Sequence, residues 1–296
     1  EGVRALPWEQ FIGREDAFPV KGYSLHSKLF SVPDCQKIIK KAVVRRLEGA
    51  YGQSWFEERG AKCQVQFSLI HDLCEVSLDT TGPALYKRGY KLEAPEATLR
   101  ETLAASMVKL ARYRGREDFI DPFCGAGTIA IEAAMTANRI APGARRAFDA
   151  EDWGCTPRGV FDRAREEARA GEKHEKLSLR ASDISAEAVE LTRENARRAG
   201  VEDCIQIERA DALSLSYEDR SGILMTNPPY GVRLLDVEQA RAIYSRLGRL
   251  TRRASGLKQY VLTSDESFEA LYGRACDKKR KLYNGMIKCS LYMYFK

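Results

Sequence analysis

The chain has 296 residues, 30% of them charged and 44% hydrophobic, with a net charge of +6. At roughly 100–150 residues per domain this suggests two domains and a core that forms without disulfides or metal. The composition excludes collagen, coiled coil and wholesale disorder, and no apolar run approaches the roughly 20 residues of a membrane span.

Residues 1–20, with Pro7, Gly13 and Pro19 and no clear period, read as a connecting arm. Ser31 to Leu47 predicts a helix, with Pro33 and Asp34 in its first turn and Ile38, Ala42 and Val43 at helical spacing. Lys37, Lys40, Lys41, Arg45 and Arg46 cover its other faces. Cys63 to Leu69 alternates as a strand, His71-Asp72 looks like a hairpin turn, and Cys74 to Leu78 returns. Helix then strands within residues 1–95 makes a small α+β module.

From Glu96 the pattern changes. Ala97 to Tyr113 predicts a helix with apolar residues at 99, 103, 107 and 110. Strands and helices then alternate: Phe119-Ile120, a helix from Thr128, Leu177 to Ala181, a helix from Ser185, Ile205 to Ile207, Ile223 to Thr226, a helix near Ala240 to Ala254, and Gln259 to Thr263. Such alternation implies a mostly parallel sheet with helices on both faces. Lys281 to Tyr283 and Met286 to Tyr294 flank Asn284-Gly285, a strong hairpin signal. An α/β domain over 96–296 closing in an antiparallel hairpin is the expected architecture.

Charge is uneven: +2 over residues 1–95, −5 over 96–240 and +9 over 241–296. A basic end beside an acidic middle points to a polyanionic partner met at one edge. The eight cysteines stand no closer than eleven residues apart, so there is no C-x-x-C signature and no metal is expected. Several lie in apolar runs as small hydrophobes, which suits a reducing, cytoplasmic setting. No signal peptide opens the chain, and its start at Glu1 rather than Met reads as that of a fragment.

Asp121-Pro122-Phe123-Cys124-Gly125-Ala126-Gly127-Thr128 follows a short strand and opens an apolar helix. Gly125 and Gly127 let the backbone turn sharply against a ligand. No third glycine completes a dinucleotide fingerprint and no Gly-Lys-Ser/Thr completes a P-loop. S-adenosylmethionine, which needs no pyrophosphate cradle, is the ligand that fits. Its ribose calls for a carboxylate at a strand end. Asp183, after Leu177 to Ala181, is preferred to Asp149 and Glu151, which have no strand before them. That choice leaves residues 138–176 as an insertion. Ile184 follows Asp183, and Asp211-Ala212 stand at the next strand end.

Thr226-Asn227-Pro228-Pro229-Tyr230-Gly231 follows the apolar strand Gly222 to Met225. Two prolines stiffen the loop and remove two donors, leaving the Pro228 carbonyl unpaired and outward. A base or amide amino group is a poor nucleophile because its lone pair is delocalised. If its N–H groups bond to the Asn227 oxygen and the Pro228 carbonyl, the nitrogen is drawn towards tetrahedral geometry and its lone pair aims at a sulfonium methyl. Tyr230 offers a ring on which a flipped base stacks.

These residues resemble the class I S-adenosylmethionine methyltransferases that modify ribosomal RNA guanine at N2. Leu85-Tyr-Lys-Arg-Gly-Tyr90 matches that group's link between domains, and Gly22 to Ser27 with Cys35 to Leu47 look like the second half of an RNA-binding THUMP domain. The resemblance implies a Rossmann-like sheet, the 121–128 loop with Asp183, Ile184, Asp211 and Ala212 on the cofactor, and Asn227 to Tyr230 as the catalytic element. The family's THUMP region opens with a ferredoxin-like half of which at most the final strand is here. The partner it implies is 23S ribosomal RNA, with no membrane, no metal and no obligate protein partner. Arg246, Arg249 and Arg253 on one helix, with Arg241 and Arg252, and Lys278-Lys279 before the hairpin are candidates for its phosphates. Other readings share Asn-Pro-Pro-Tyr: an adenine-N6 DNA or RNA methyltransferase, a protein-glutamine N5 methyltransferase, and an inactive RNA-binding protein with the same fold.

Overall fold

The computed structural model describes residues 1–91, 98–229 and 234–295, without the side chains of 234–236. Chain contacts divide it into two units, Glu1–Leu85 with Arg146–Glu167, and Tyr86–Arg145 with Ala168–Lys296. The division falls at Leu85/Tyr86 rather than 95/96. Much of the expected 138–176 insertion returns to the first unit.

The first unit opens with α1 (Gly2–Ala5) and a single turn at Trp8–Gln10. Then come β1 (Val20–Leu25), α2 (Val32–Tyr51), β2 (Gln64–Ile70) and β3 (Leu73–Asp79). β1 pairs parallel to β2, and β3 returns antiparallel after His71 and Asp72, both left-handed at φ 51° and 66°. Two positive φ values in a two-residue loop make the turn that matches strand twist. Residues 1–20 are not a bare arm: Trp8, Ile12 and Phe18 are core residues, and β1 is a strand with no clear alternation in its sequence. The buried stripe of α2 is Cys35, Ile39, Val43 and Leu47. Ile38, expected on that stripe, is exposed.

Residues 146–167 are stitched to this unit by specific bonds. The Trp153 indole donates to the Lys62 carbonyl at 2.9 Å, the Ala150 N–H to the Thr80 carbonyl at 3.1 Å, and the Arg146 guanidinium to the carbonyls of Thr81 and Ala84 at 3.0 Å each. Ala150 and Trp153 are buried in the same core as Trp8 and Phe18. The polar stretch that precedes them hides this role in the sequence.

The second unit contains α3 (Glu101–Leu110), β4 (Phe119–Asp121), α4 (Thr128–Ala137), β5 (Leu179–Asp183), α6 (Ala186–Ala199), β6 (Gln206–Arg209) and β7 (Gly222–Thr226). The helix α5 (Val160–Ala170) precedes β5. After β7 follow α7 (Leu234–Thr251), β8 (Leu257–Thr263), α8 (Phe268–Tyr272), β9 (Lys278–Asn284) and β10 (Ile287–Tyr294). The sheet order is β6-β5-β4-β7-β8-β10-β9, parallel from β6 to β8, with β10 antiparallel to both neighbours. This is the expected α/β fold with a terminal antiparallel hairpin. The chain moves outward from β4 to β5 and β6, then crosses back to β7 and β8. The carboxyl ends of β4 and β7 therefore flank the switch point where open α/β sheets bind ligands. α4 is buried almost throughout, its one charged residue Glu132 paired with Arg88, whereas α7 buries Ala240, Tyr244 and Leu247.

Two basic sites move. Lys278 and Lys279 lie within β9, not before the hairpin. Lys278 pairs with Met293, which pairs with Tyr260 in the middle of β8, and it lines one cleft with Arg112 and with Lys258 at the start of β8, so it stands towards the amino ends of the parallel strands. The hairpin tip at Asn284 is the part at their carboxyl ends.

Candidate active site

β4 ends at Asp121, and the chain turns through Phe123 to Gly127 before α4 begins. The Cys124 N–H bonds to the Ser182 carbonyl of β5 at 2.9 Å, and the Gly127 N–H closes a turn on the Cys124 carbonyl at 2.7 Å. Gly125 and Gly127 are left-handed at φ 53° and 76°. A Cβ on Gly127 would lie 2.7 Å from Thr192 Cγ2, whereas one on Gly125 would meet nothing within 4 Å. Gly127 is needed for packing; Gly125 presents bare backbone to a cavity of about 180 Å³. Thr98, Phe123, Cys124, Thr128 and Asn227 also line it.

The loop is held by groups that sequence reading did not single out. Thr192 Oγ1 of α6 donates to the Gly125 carbonyl at 2.8 Å, and Asn195 Nδ2 donates to the Ala126 carbonyl at 3.0 Å. Both are buried on the face of α6 that carries Val189, Ala196 and Ala199. Polar residues at i and i+3 on an otherwise apolar stripe were the available signal.

The three strand-end carboxylates differ. Asp121 is fully buried, accepts from Thr226 Oγ1 at 3.1 Å, and among the described residues has no hydrogen-bond partner for Oδ2. Burial pushes its pKa up to about 7, against the lowering by the Thr226 hydroxyl and the Phe123 N–H; the Asp183 charge adds to the rise. Asp183 accepts from the Gly125 N–H and the Ser185 N–H, each at 3.0 Å, so it ties the glycine loop to the start of α6. Ile184 beside it is exposed, with its apolar face uncovered. Asp211 accepts from the Leu213 N–H at 2.9 Å and Ser214 Oγ at 2.8 Å. Those bonds hold it below the usual carboxylate range, and the Arg246 charge adds to the effect. Ala212 is buried behind it. The competing Asp149 and Glu151 are engaged in the first unit, paired with Lys62 and Arg165.

At the end of β7, Asn227 lines the cavity and its Oδ1 is buried without a hydrogen-bond partner among the described residues. Pro228 is buried and Pro229 exposed. The Pro229 carbonyl accepts from the Tyr244 hydroxyl at 2.9 Å, which lies 3.0 Å from Thr263 Oγ1. Tyr244 of α7 thus clamps the double-proline turn; in the sequence it is hidden within an apolar stripe. Tyr230 lies outside the described residues. Burial raises the Cys124 thiol pKa, and its Sγ lies 3.5 Å from Thr192 Oγ1.

The basic candidates do not converge on this cavity. Arg246, Arg249 and Arg253 are exposed, and Arg253 has Glu218 at 3.6 Å. α7 runs from the end of β7 towards the start of β8 and ends at Thr251. Arg249 in its last turn and Arg253, which lies beyond the helix and not on it, are thereby carried away from Asn227. Among the described residues no group of His, Cys, Asp and Glu could hold a metal ion, and no helix is long and apolar enough to cross a membrane.

Residues 88–293 match the family described as RMKL-like, methyltransferase domain, and residues 1–79 match the THUMP domain. The chain belongs to the RMKL-like methyltransferase family. It is 41% identical to YpsC of Bacillus subtilis, provisionally named an RNA methyltransferase, over 100% of this chain and 77% of that one. It is 35% identical to ribosomal RNA large subunit methyltransferase K/L of Shewanella baltica over 79% of this chain, and spans about a third (34%) of that relative. A Listeria monocytogenes protein described as a predicted N6-adenine-specific DNA methylase is similar over 99% of this chain and 77% of its own, with a TM-score of 0.93 and 40% identity. SMU.472, provisionally described as a methyltransferase and complexed with SAH, has a TM-score of 0.92 and 38% identity over 99% and 78% of the two chains.

This RMKL-like methyltransferase uses S-adenosylmethionine. The residues present fit that group. The glycine loop offers a face without Cβ atoms, and the cavity beside it is bounded by the unpartnered Asn227 oxygen.

Proposed function

We propose that this RMKL-like methyltransferase transfers a methyl group to guanine N2 in large-subunit ribosomal RNA. The observation that carries the chemistry is the buried, unpartnered Asn227 Oδ1 at the rim of the glycine-loop cavity. A buried acceptor left empty costs free energy unless a ligand fills it. An exocyclic amino group fills it with one N–H, and the Pro228 carbonyl takes the other. The prolines and the Tyr244 clamp fix the distance between those acceptors, so little reorganisation is needed at the moment of transfer.

S-adenosylmethionine, when bound, supplies an electrophilic methyl on a sulfonium. The Phe123–Gly127 backbone, Asp183 and Ile184 would hold it, with Asp183 accepting from ribose hydroxyls and Ile184 covering the adenine. Asp211 and Ala212 would border the same end. Tyr230 would stack on the target base, and Arg246, whose charge reaches Asp211 at the end of β6, would meet a phosphate.

The THUMP match and the names of the RNA methyltransferase relatives support RNA over DNA. A second reading, adenine N6, is favoured by the description of the Listeria protein; the same two acceptors suit either base. The deciding experiment is incubation with isotopically labelled S-adenosylmethionine and unmodified 23S ribosomal RNA, then nucleoside mass spectrometry. Label in N2-methylguanosine is expected; label in N6-methyladenosine alone would replace the guanine assignment.

A further inference from the structure

The end of the second unit's sheet remote from the cofactor loop carries two adjoining clefts with strong positive character. One, of about 480 Å³, is lined by Lys109, Arg112, Arg114, Arg116, Arg139 and Lys173, with Glu175. The next, of about 390 Å³, shares Arg112 and adds Lys258, Lys278 and Arg280, with Glu117. Among the described residues only Lys173 of these nine cations makes a salt bridge, with Glu175 at 2.6 Å. The others are exposed, and Glu117 and Glu175 are the acidic groups in the lining of the two clefts.

Placement explains why they gather. Arg112 to Arg116 precede β4, Arg139 follows α4, Lys173 precedes β5, Lys258 begins β8 and Lys278 begins β9. All these points are at the amino ends of the parallel strands. From β5 to β9 there are five inter-strand steps in the sheet. At roughly 4.8 Å each, the belt runs about 24 Å. That is longer than a free phosphate or a single nucleotide and suits a polymer with charges at regular intervals.

Local structure adds an independent sign. α3 and α4 end alike: the Arg112 N–H bonds to the Lys109 carbonyl and Tyr113 N–H to Val108, and the Arg139 N–H bonds to Thr136 and Ile140 N–H to Met135. Both are Schellman turns, and the residue in the left-handed position, where glycine is usual, is arginine each time, at φ 58° and 56°. Two neighbouring helices thus carry a guanidinium at a site where glycine would be less strained, and both face one cleft.

We propose that this belt binds the phosphodiester backbone of RNA, at segments remote from the methylated base. The proposal rests on the reading of the substrate as RNA. It also gives Lys278, which the topology removes from the cofactor site, a place in a cationic surface. Binding of this kind is independent of base sequence and sensitive to salt, because each phosphate contact releases condensed counterions.

The test is fluorescence anisotropy with labelled, in vitro transcribed 23S ribosomal RNA across a salt series, comparing wild type with R112G/R139G and R114Q/R116Q. The glycine pair removes two charges while relaxing two backbones, so its thermal stability should equal or exceed wild type. Each pair should weaken RNA binding about ten- to a hundredfold at 0.1 M salt and reduce the slope of log K against log salt by about two. Unchanged affinity and slope in both folded pairs would overturn the proposal. So would loss of binding to phosphatidylserine vesicles with RNA affinity intact, which would assign the belt to lipid. This assay reads no methyl transfer, so an error in the assigned base appears in the nucleoside analysis and leaves the binding result standing.

Discussion

Asp121→Asn tests the reading of the site through protonation. Asp121 is 1% exposed and carries one oxygen without a partner. Desolvation raises its pKa from the ordinary 3.8 to about 7, more than the Thr226 hydroxyl and Phe123 N–H can offset. Between these values the folded chain keeps the proton that the unfolded chain releases. Each pH unit through the window therefore weakens folding by up to about 1.4 kcal/mol. The site's contribution is complete below about pH 4 and falls by about 4 kcal/mol as the pH rises to about 7. Asparagine keeps an acceptor for Thr226 and has no proton to lose, so the variant lacks this slope. Urea unfolding of both proteins between pH 4 and 8 should show the variant gaining on wild type by up to about 4 kcal/mol across the window. Far-UV circular dichroism is the appropriate probe, because Trp8, Trp55 and Trp153 all lie in the first unit. Parallel stability curves for the two proteins would refute the buried, protonated carboxyl.

Gly127→Ala places a methyl in a left-handed position and 2.7 Å from Thr192 Cγ2, which should cost about 2–3 kcal/mol of stability; adding Thr192→Ala should recover part of it, as a double-mutant cycle by chemical denaturation would show. Asp183→Ala frees the Gly125 N–H and removes the proposed ribose acceptor, so calorimetry should show S-adenosylhomocysteine binding weakened about ten- to a hundredfold, the loss of about two charge-assisted hydrogen bonds. Tyr244→Phe removes the bond to the Pro229 carbonyl; steady-state kinetics should show kcat down about tenfold, with KM for S-adenosylmethionine near wild type, as expected when a positioning contact loosens.

Much of the second unit is legible in the sequence because its signals are local. A glycine turn after a short strand, carboxylates at strand ends and Asn-Pro-Pro-Tyr after an apolar strand need no tertiary knowledge to be found. The order of the sheet then brings the glycine loop and Asn227 to one cavity. What stays hidden depends on long-range pairing. Trp8 and Phe18 sit in stretches without period because their burial comes from α2 and from residues 146–167. Those residues look like an insertion because a polar segment reveals nothing of the Trp153 to Lys62 bond across 91 positions. Thr192, Asn195 and Tyr244 each use a hydrogen bond to a loop carbonyl whose location only the fold sets. The charge asymmetry is visible, but direction along a strand is not, and so the end of the sheet at which Lys278 stands stays hidden.

The central claim is that Asn227 Oδ1 accepts a hydrogen bond from the target amino group. Single-turnover transfer from labelled S-adenosylmethionine to unmodified 23S ribosomal RNA by Asn227→Ala, beside calorimetry of S-adenosylhomocysteine, tests it most directly. A rate at least about a hundred- to thousandfold below wild type is expected, with cofactor affinity within a factor of about three. A variant that transfers methyl at a rate near wild type would contradict it.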